Sequence, residues 1–165
     1  MGRILAVRAP DLSDEEIARL SQYPPEDVAP LLMEQFKTAN EPYVRGRAFD
    51  GLMRLAGFDQ VGFLIGMLEE WPDAVWRAIF CERLGAFQDS RAIAALQRVP
   101  ETDPDGDTRF AAAEALGEIG DLTALEVLAR VAKHDQGTDY EGWPVSGAAD
   151  RALHRIRERL GLNPT

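Results

Sequence analysis

The sequence predicts an all-α protein, a short solenoid of about four and a half stacked helix pairs with no sheet. Two observations carry this. The segments "RGRAFDGLM" (45–53), "RAIFCERLG" (77–85) and "RFAAAEALG" (109–117) each place an arginine seven positions before a leucine, and Arg45, Arg77 and Arg109 are evenly spaced along the chain. A fourth copy, "SGAADRALH" (146–154), keeps the leucine offset but falls later than that even spacing would place it. Within each copy the apolar positions follow a helical period, interrupted by a short turn. A recurrence of this length is the mark of stacked repeats, in which each unit buries its apolar face only against its neighbours.

The elements follow in order. Ser13 and Glu16 form a capping box for a short helix ended by "YPP". Asp27 can cap "VAPLLMEQFKT", with Pro30 placed in a first turn that needs no amide at that position. Residues 13–40 thus read as a degenerate terminal pair, as expected where one face of an array meets water. Repeat 1 (41–71) has a helix from Val44 to Ala56, then "QVGFLIGMLEE" after Asp59. Repeat 2 (72–103) has Trp76 to Ala86, then "SRAIAALQRV" capped by Asp89. In repeat 3 (104–134), Asp105 or Asp107 caps a helix carrying Phe110, Ala113, Leu116 and Ile119 at helical spacing, and Asp121 caps "LTALEVLARVAKH". In that last helix Glu126 and Arg130 form a favourable i,i+4 pair. A closing amphipathic helix spans 144–161, where Arg155, Arg157 and Arg159 suit the negative end of its dipole.

Composition narrows the function. With 45% hydrophobic and 28% charged residues the chain reads as one ordinary globular domain. No apolar run approaches the roughly 20 residues needed to cross a bilayer, and the opening "MGRILAVRAPDLSDEE" turns acidic too soon for a secretory signal. A cytoplasmic protein is expected. Cys81, the single cysteine, has no partner for a disulfide or zinc cluster and reads as a small buried hydrophobe. The net charge of −10 argues against nucleic acid, whose affinity comes from Lys and Arg displacing counterions, and points instead to a protein partner with a basic surface.

The acidic excess sits in three connections, "EEWPD" (69–73), "ETDPDGD" (101–107) and "HDQGTDYEGW" (134–143). Together they hold ten acids and no Lys or Arg, while the remaining 18 acids match the 18 basic residues. Stacking lines such connections along one edge, so a binding ridge is expected from Glu69, Glu70, Trp71, Asp73, Glu101, Asp103, Asp105, Asp107, Asp139, Tyr140, Glu141 and Trp143, the aromatic residues serving as anchors. Turn and cap chemistry accounts for part of the same acidity. A second candidate surface is the helix from Val61 to Leu68, which has no polar side chain; cover by "ILAV" (4–7) or by the preceding helix is the simpler expectation.

The stretch "DTRFAAAEALGEIGDLTALEVLARV" resembles the HEAT-like repeat of the bilin-lyase type, most closely in the third copy and more loosely in the others, over roughly residues 41–160. The resemblance implies a right-handed solenoid, protein binding as the commonest role, and a structural ladder made of Arg77, Arg109, Asp89 and Asp121. Enzymes built from such repeats fit poorly. The di-iron hydroxylases use repeated His-Glu pairs, whereas His134 and His154 are followed here by Asp135 and Arg155. The similar DNA glycosylases need a basic channel. No phosphate loop, CxxC, HExxH or GxSxG occurs, and no residue asks for a cofactor or metal. The expectation is a non-enzymatic binding module whose acidic edge stands in for phosphates, as in an immunity protein that neutralises a toxin nuclease. The alternatives are a scaffold or regulatory subunit and a bilin-lyase-like subunit.

Overall fold

The computed structural model describes Glu15, residues 19–20 and residues 22–162. The capping box at Ser13 and Glu16 and the segment 4–7 lie outside the described residues. Among those described, the secondary structure is helical apart from a short 3-10 turn and one isolated bridge between Thr138 and Pro144. No helix is long and apolar enough to cross a membrane. Two compact units divide between Gln60 and Val61.

In the first unit, α1 (Pro25–Thr38) packs on α2 (Pro42–Arg54). Leu32, Phe36, Ala48 and Leu52 are buried between them, with the Phe36 and Phe49 rings 5.7 Å apart. Both helices open on a proline at their first turn, where the fixed φ favours helix and the missing N–H costs nothing. That corrects two expectations. Helix α1 starts before Asp27, which lies in the first turn and caps nothing, and Pro30 stands inside the helix, beyond the turn that tolerates it freely. Likewise α2 starts at Pro42 and ends at Arg54. Gly57, at φ 78°, turns the chain after it in a conformation that a β-carbon would strain.

The second unit holds α3 (Gln60–Glu70, all but its first residue), α4 (Ala74–Phe87), α5 (Ile93–Thr102, led by a 3-10 turn at Ser90–Ala92), α6 (Gly106–Ile119), α7 (Ala124–His134) and α8 (Val145–Arg159). Asp73 and Asp105 cap α4 and α6, and Asp89 caps the 3-10 turn that leads into α5, whereas the expected cap at Asp121 instead holds the turn before α7, which starts at Ala124. Asp73, Asp89, Asp105 and Asp121 accept hydrogen bonds from the amides of Val75, Arg91, Thr108 and Thr123, at 2.9 Å each. Of the two caps open to α6, Asp105 serves. Helix α5 runs on through Pro100 to Thr102, past the expected end.

Helices α4, α6 and α8 pack in a row, with α5 against α6 and α7, and α7 against α8. The repeat leucines Leu84 and Leu116 are fully buried, as is Leu52 in the first unit, and Leu153 nearly so. Cys81 is buried among them, and burial pushes its thiol pKa up, so it stays a neutral packing group. The glycine after Leu84 and the one after Leu116 set the spacing of the row. A β-carbon on Gly85 would lie 3.0 Å from Ala115 Cα, and one on Gly117 the same distance from Ala152 Cα. The close approach thus rests on small residues on both sides, and it explains the Ala-Leu-Gly signature.

On α8, Arg157 and Arg159 stand in the last turn as expected, while Arg155 lies before it, and most of these arginines also reach α6. Arg151 and Arg155 pair with Glu114 on α6, Arg155 also with Glu118, and Arg159 donates to the carbonyls of Gly117, Glu118 and Gly120. A cation beside those carbonyls neutralises the negative end of α6. In the apolar helix α3, Val61, Leu64, Met67 and Leu68 are buried, while Phe63 and Ile65 are partly covered.

Candidate functional site

The structure divides the expected acidic ridge into two parts of different character. The first is a ladder of ion pairs. Arg77 grips Asp103 with two parallel bonds (Nε–Oδ2 2.8 Å, Nη2–Oδ1 2.9 Å) and donates through Nη1 to the carbonyls of Trp71 and Pro72. One repeat on, Arg109 grips Asp135 (2.7 and 3.2 Å) and donates to the carbonyls of Asp103 and Pro104. These side chains are largely withdrawn from solvent, 13% and 10% exposed in the first pair, 17% and 11% in the second. The Asp103 and Asp135 hydrogen bonds raise the pKa values of Arg77 and Arg109. For Asp135, burial pushes the carboxyl up, but the Arg109 bond, the Gly137 amide and the Arg109 charge together bring it below its ordinary value.

A parallel outer pair repeats with the same period. Arg98 pairs with Glu69, and Arg130 with Glu101, whose carboxyl that bond holds below its ordinary range. Around these pairs lie two repeat-related hollows, of about 540 and 430 Å³.

Asp103, expected on a binding rim, is therefore a largely covered structural partner, and Glu69 and Glu101 are already paired. The connections carry no basic residue of their own, but arginines from the flanking helices reach into them. Trp71 is half-buried, its ring edge-on to Phe80 at 6.4 Å, and so belongs to the packing more than to a free surface. The ladder expected from Arg77, Arg109, Asp89 and Asp121 exists with other aspartates: Asp89 and Asp121 hold local turns. Asp135 was missed, although Asp103 follows Arg77 and Asp135 follows Arg109 at one common offset. The position equivalent to these aspartates after Arg45 is Trp71. Arg45 nonetheless donates to the carbonyls of Phe36 and Ala39.

The second part is a groove of about 570 Å³ on the outward face of α4 and α6. Repeat-equivalent residues face one another across it: Val75 with Asp107, Ala78 with Phe110, Ile79 with Ala111, and Glu82 with Glu114. The loop after α7 closes one end with Asp139, Tyr140 and Glu141. That loop is pinned. A β-carbon on Gly106 would collide with the Thr138 carbonyl oxygen, and one on Gly137 would meet the Arg109 guanidinium, so both glycines permit the loop to lie on the start of α6. Asp107 accepts the Tyr140 amide, and Asp139 accepts the amides of Glu141 and Trp143. Tyr140 is 84% and Trp143 58% exposed. Nearby charge, Glu141 first, then a little desolvation, the Glu141 hydrogen bond, Asp139 and Asp107, raises the Tyr140 phenol pKa. Glu70 and Asp73 are exposed outside the groove, Asp73 as a cap.

Among the described residues no group of three or more His, Cys, Asp or Glu stands close enough to hold a metal ion. His134 ends α7 and is exposed; His154, on α8, lies 3.2 Å from Glu158.

The HEAT-repeat family matches residues 61–143, without singling out the bilin-lyase type. No curated protein sequence matches the chain. A solved structure of human deoxyhypusine hydroxylase in complex with glycerol is similar, with a TM-score of 0.62 and 24% identity over 90% of this chain and 49% of that one. The chain thus spans about half the length of that enzyme, and at this identity the likeness speaks for the fold alone. Arginines at a fixed period, leucines buried at a constant offset and helices stacked through Gly–Ala contacts agree with the family match: the chain belongs to the HEAT repeats.

Proposed function

We propose that this HEAT-repeat protein is a non-enzymatic binding module that holds the basic surface of a protein partner through the loop 139–143 and the carboxylates beside it. The observation that carries the reading is the pair Tyr140 and Trp143, large aromatic side chains held out to solvent on a backbone fixed by Asp107, Asp139, Gly106 and Gly137. Ordering such a loop on binding costs little when it is already ordered, and exposed aromatics of this kind supply most of the energy of an interface. Asp107, Asp139 and Glu141 add a negative field that speeds encounter with a cationic surface. A toxin nuclease is the finer form of the partner, since its phosphate-binding surface is basic and its occlusion would block substrate. Of the residues expected on the ridge, Asp107, Asp139, Tyr140, Glu141 and Trp143 make up the surface we propose; Asp73 and Asp105 cap the starts of the two helices beside it, and Glu70 lies on the ladder side.

The test places a photo-crosslinking amino acid at position 140 or 143 in the producing cell and identifies what is trapped. A discrete protein with a basic surface is expected at both. Crosslinks that form from Arg83 or Gln97 but not from these two positions would place the partner elsewhere.

A further inference from the structure

We infer that the groove between α4 and α6 receives about two turns of a basic amphipathic helix of the partner protein, apolar side chains on its floor and lysine or arginine side chains against its rim. This rests on the protein-binding reading and names the segment bound and where it sits.

Three observations point there. The floor is apolar in an exposed position: Val75 is 65% exposed, and Ile79 and Phe110 are half-buried. These residues recur at i, i+3 and i+4 along two adjacent helices, a stripe of ridges into which a third helix fits. From Val75 to Glu82 the stripe is about 10 Å long at 1.5 Å per residue, which is the length of about two helical turns.

The rim decides the sign of the partner. Of the carboxylates at the groove, Glu114 is paired with Arg151 and Arg155, whereas Glu82, Asp107, Asp139 and Glu141 have no cationic partner among the described residues. On the ladder side, by contrast, Glu69, Glu101, Asp103 and Asp135 each have an arginine. The acidic excess of the connections is thus cancelled along the ladder and left open at the groove. Arg151 lies over the Phe110 ring at 5.5 Å, an example within the chain of a cation sharing this floor.

A helix suits the walls better than an extended segment. Helical walls offer no row of free backbone groups, so a strand laid here would leave its own amides unpaired, whereas a helix satisfies them internally. The chain's own most basic helix, α8, is already committed, with Arg151, Arg155 and Arg159 bound to α6. That favours a foreign segment over a second copy.

The experiment uses the full chain and labelled synthetic helical peptides of about 15 residues, long enough to populate a helix. The first carries leucines at i, i+3 and i+7 with flanking lysines, the second glutamates for the lysines, and the third serines for the leucines. Binding is read by fluorescence anisotropy. The lysine–leucine peptide should bind, and the other two should bind at least about tenfold more weakly, as expected when anchors or complementary charges are lost. Val75→Ser should speed its release, and Glu82→Gln should slow its association, without changing the circular dichroism of the protein.

No binding of the first peptide, or equal binding of the second or third, would overturn the groove assignment. So would affinity unchanged in both protein variants. A dimer, seen by light scattering, that Val75→Ser dissociates would assign the groove to a second copy instead. Crosslinking at positions 140 and 143 that persists when peptide binding fails leaves the protein-binding reading intact, and peptide binding without such crosslinks does the reverse.

Discussion

Replacing Arg109 by alanine is the sharpest probe of the stack. The change removes two bonds to Asp135 and two to the carbonyls of Asp103 and Pro104. It strands a carboxylate that is only 11% exposed and keeps the Gly137 amide as a donor. Breaking a buried ion pair from one side costs about 3–5 kcal/mol, and the residual exposure of both partners argues for the lower end, about 3 kcal/mol. For a chain of this size 1 kcal/mol moves Tm by about 2–4 °C, so a fall of about 6–12 °C is expected. Arg130→Ala is the control, because its pair with Glu101 is 48% and 37% exposed, so solvent screening leaves it little to contribute. Urea unfolding of the two variants, of Asp135→Asn and of the Arg109→Ala/Asp135→Asn double variant closes the cycle. Equal costs for Arg109→Ala and Arg130→Ala, or additive effects of Arg109→Ala and Asp135→Asn, would refute the ladder as a source of stability.

Two further outcomes follow from the same geometry. The folded-state pKa of Asp135 lies below its ordinary value, so its contribution is complete above the unfolded value of about 3.9 and is lost as pH falls through the lower folded value. Stability should therefore drop on acidification below about pH 4, and Asp135→Asn should flatten that part of the urea-midpoint profile; an unchanged slope would contradict the pairing. Gly106→Ala places a β-carbon against the Thr138 carbonyl, so hydrogen exchange should accelerate at the amides of Tyr140, Trp143 and Val145 while α6 stays protected. Unchanged protection there would mean that the loop does not depend on this approach.

The repeat register was legible because burial enforces it. Leu84 and Leu116 have to face the interior, so their spacing survives in the one-dimensional pattern, while the caps at Asp89 and Asp105 are legible from the chemistry of helix starts. Pairing between distant ends of one helix pair was not legible from charge totals. Counting acids in the connections treated Asp103 and Asp107 alike, yet one is locked to Arg77 and the other faces a groove. The signal that separates them is the common offset of Arg77 to Asp103 and Arg109 to Asp135, visible only when charges are compared between copies. The groove was hidden for a different reason. Val75, Ala78, Ile79 and Phe110 look like ordinary core positions, and only the placement of neighbouring helices shows which apolar side chains are left uncovered. The helix starts misjudged at Asp27 and Val44 were lost to prolines at 25 and 42, whose fixed backbone angle outweighs the preference for a polar cap.

Each arginine of the ladder ties the last carbonyl of the preceding repeat to the aspartate that ends its own helix pair, so every joint is shared by two repeats and belongs wholly to neither. The same donors and acceptors return once per repeat, from Arg77 and Asp103 to Arg109 and Asp135. Chain length can therefore change in whole units: removing residues 77–108 brings Arg109 directly behind Trp71 and Pro72, where Arg77 stood, with Asp135 as far ahead of it as Asp103 was of Arg77. A cut one position longer or shorter rotates the new helix by about 100° and carries the arginine out of reach of both. The joint acts as a ruler, admitting the gain or loss of complete repeats and rejecting fractions of one.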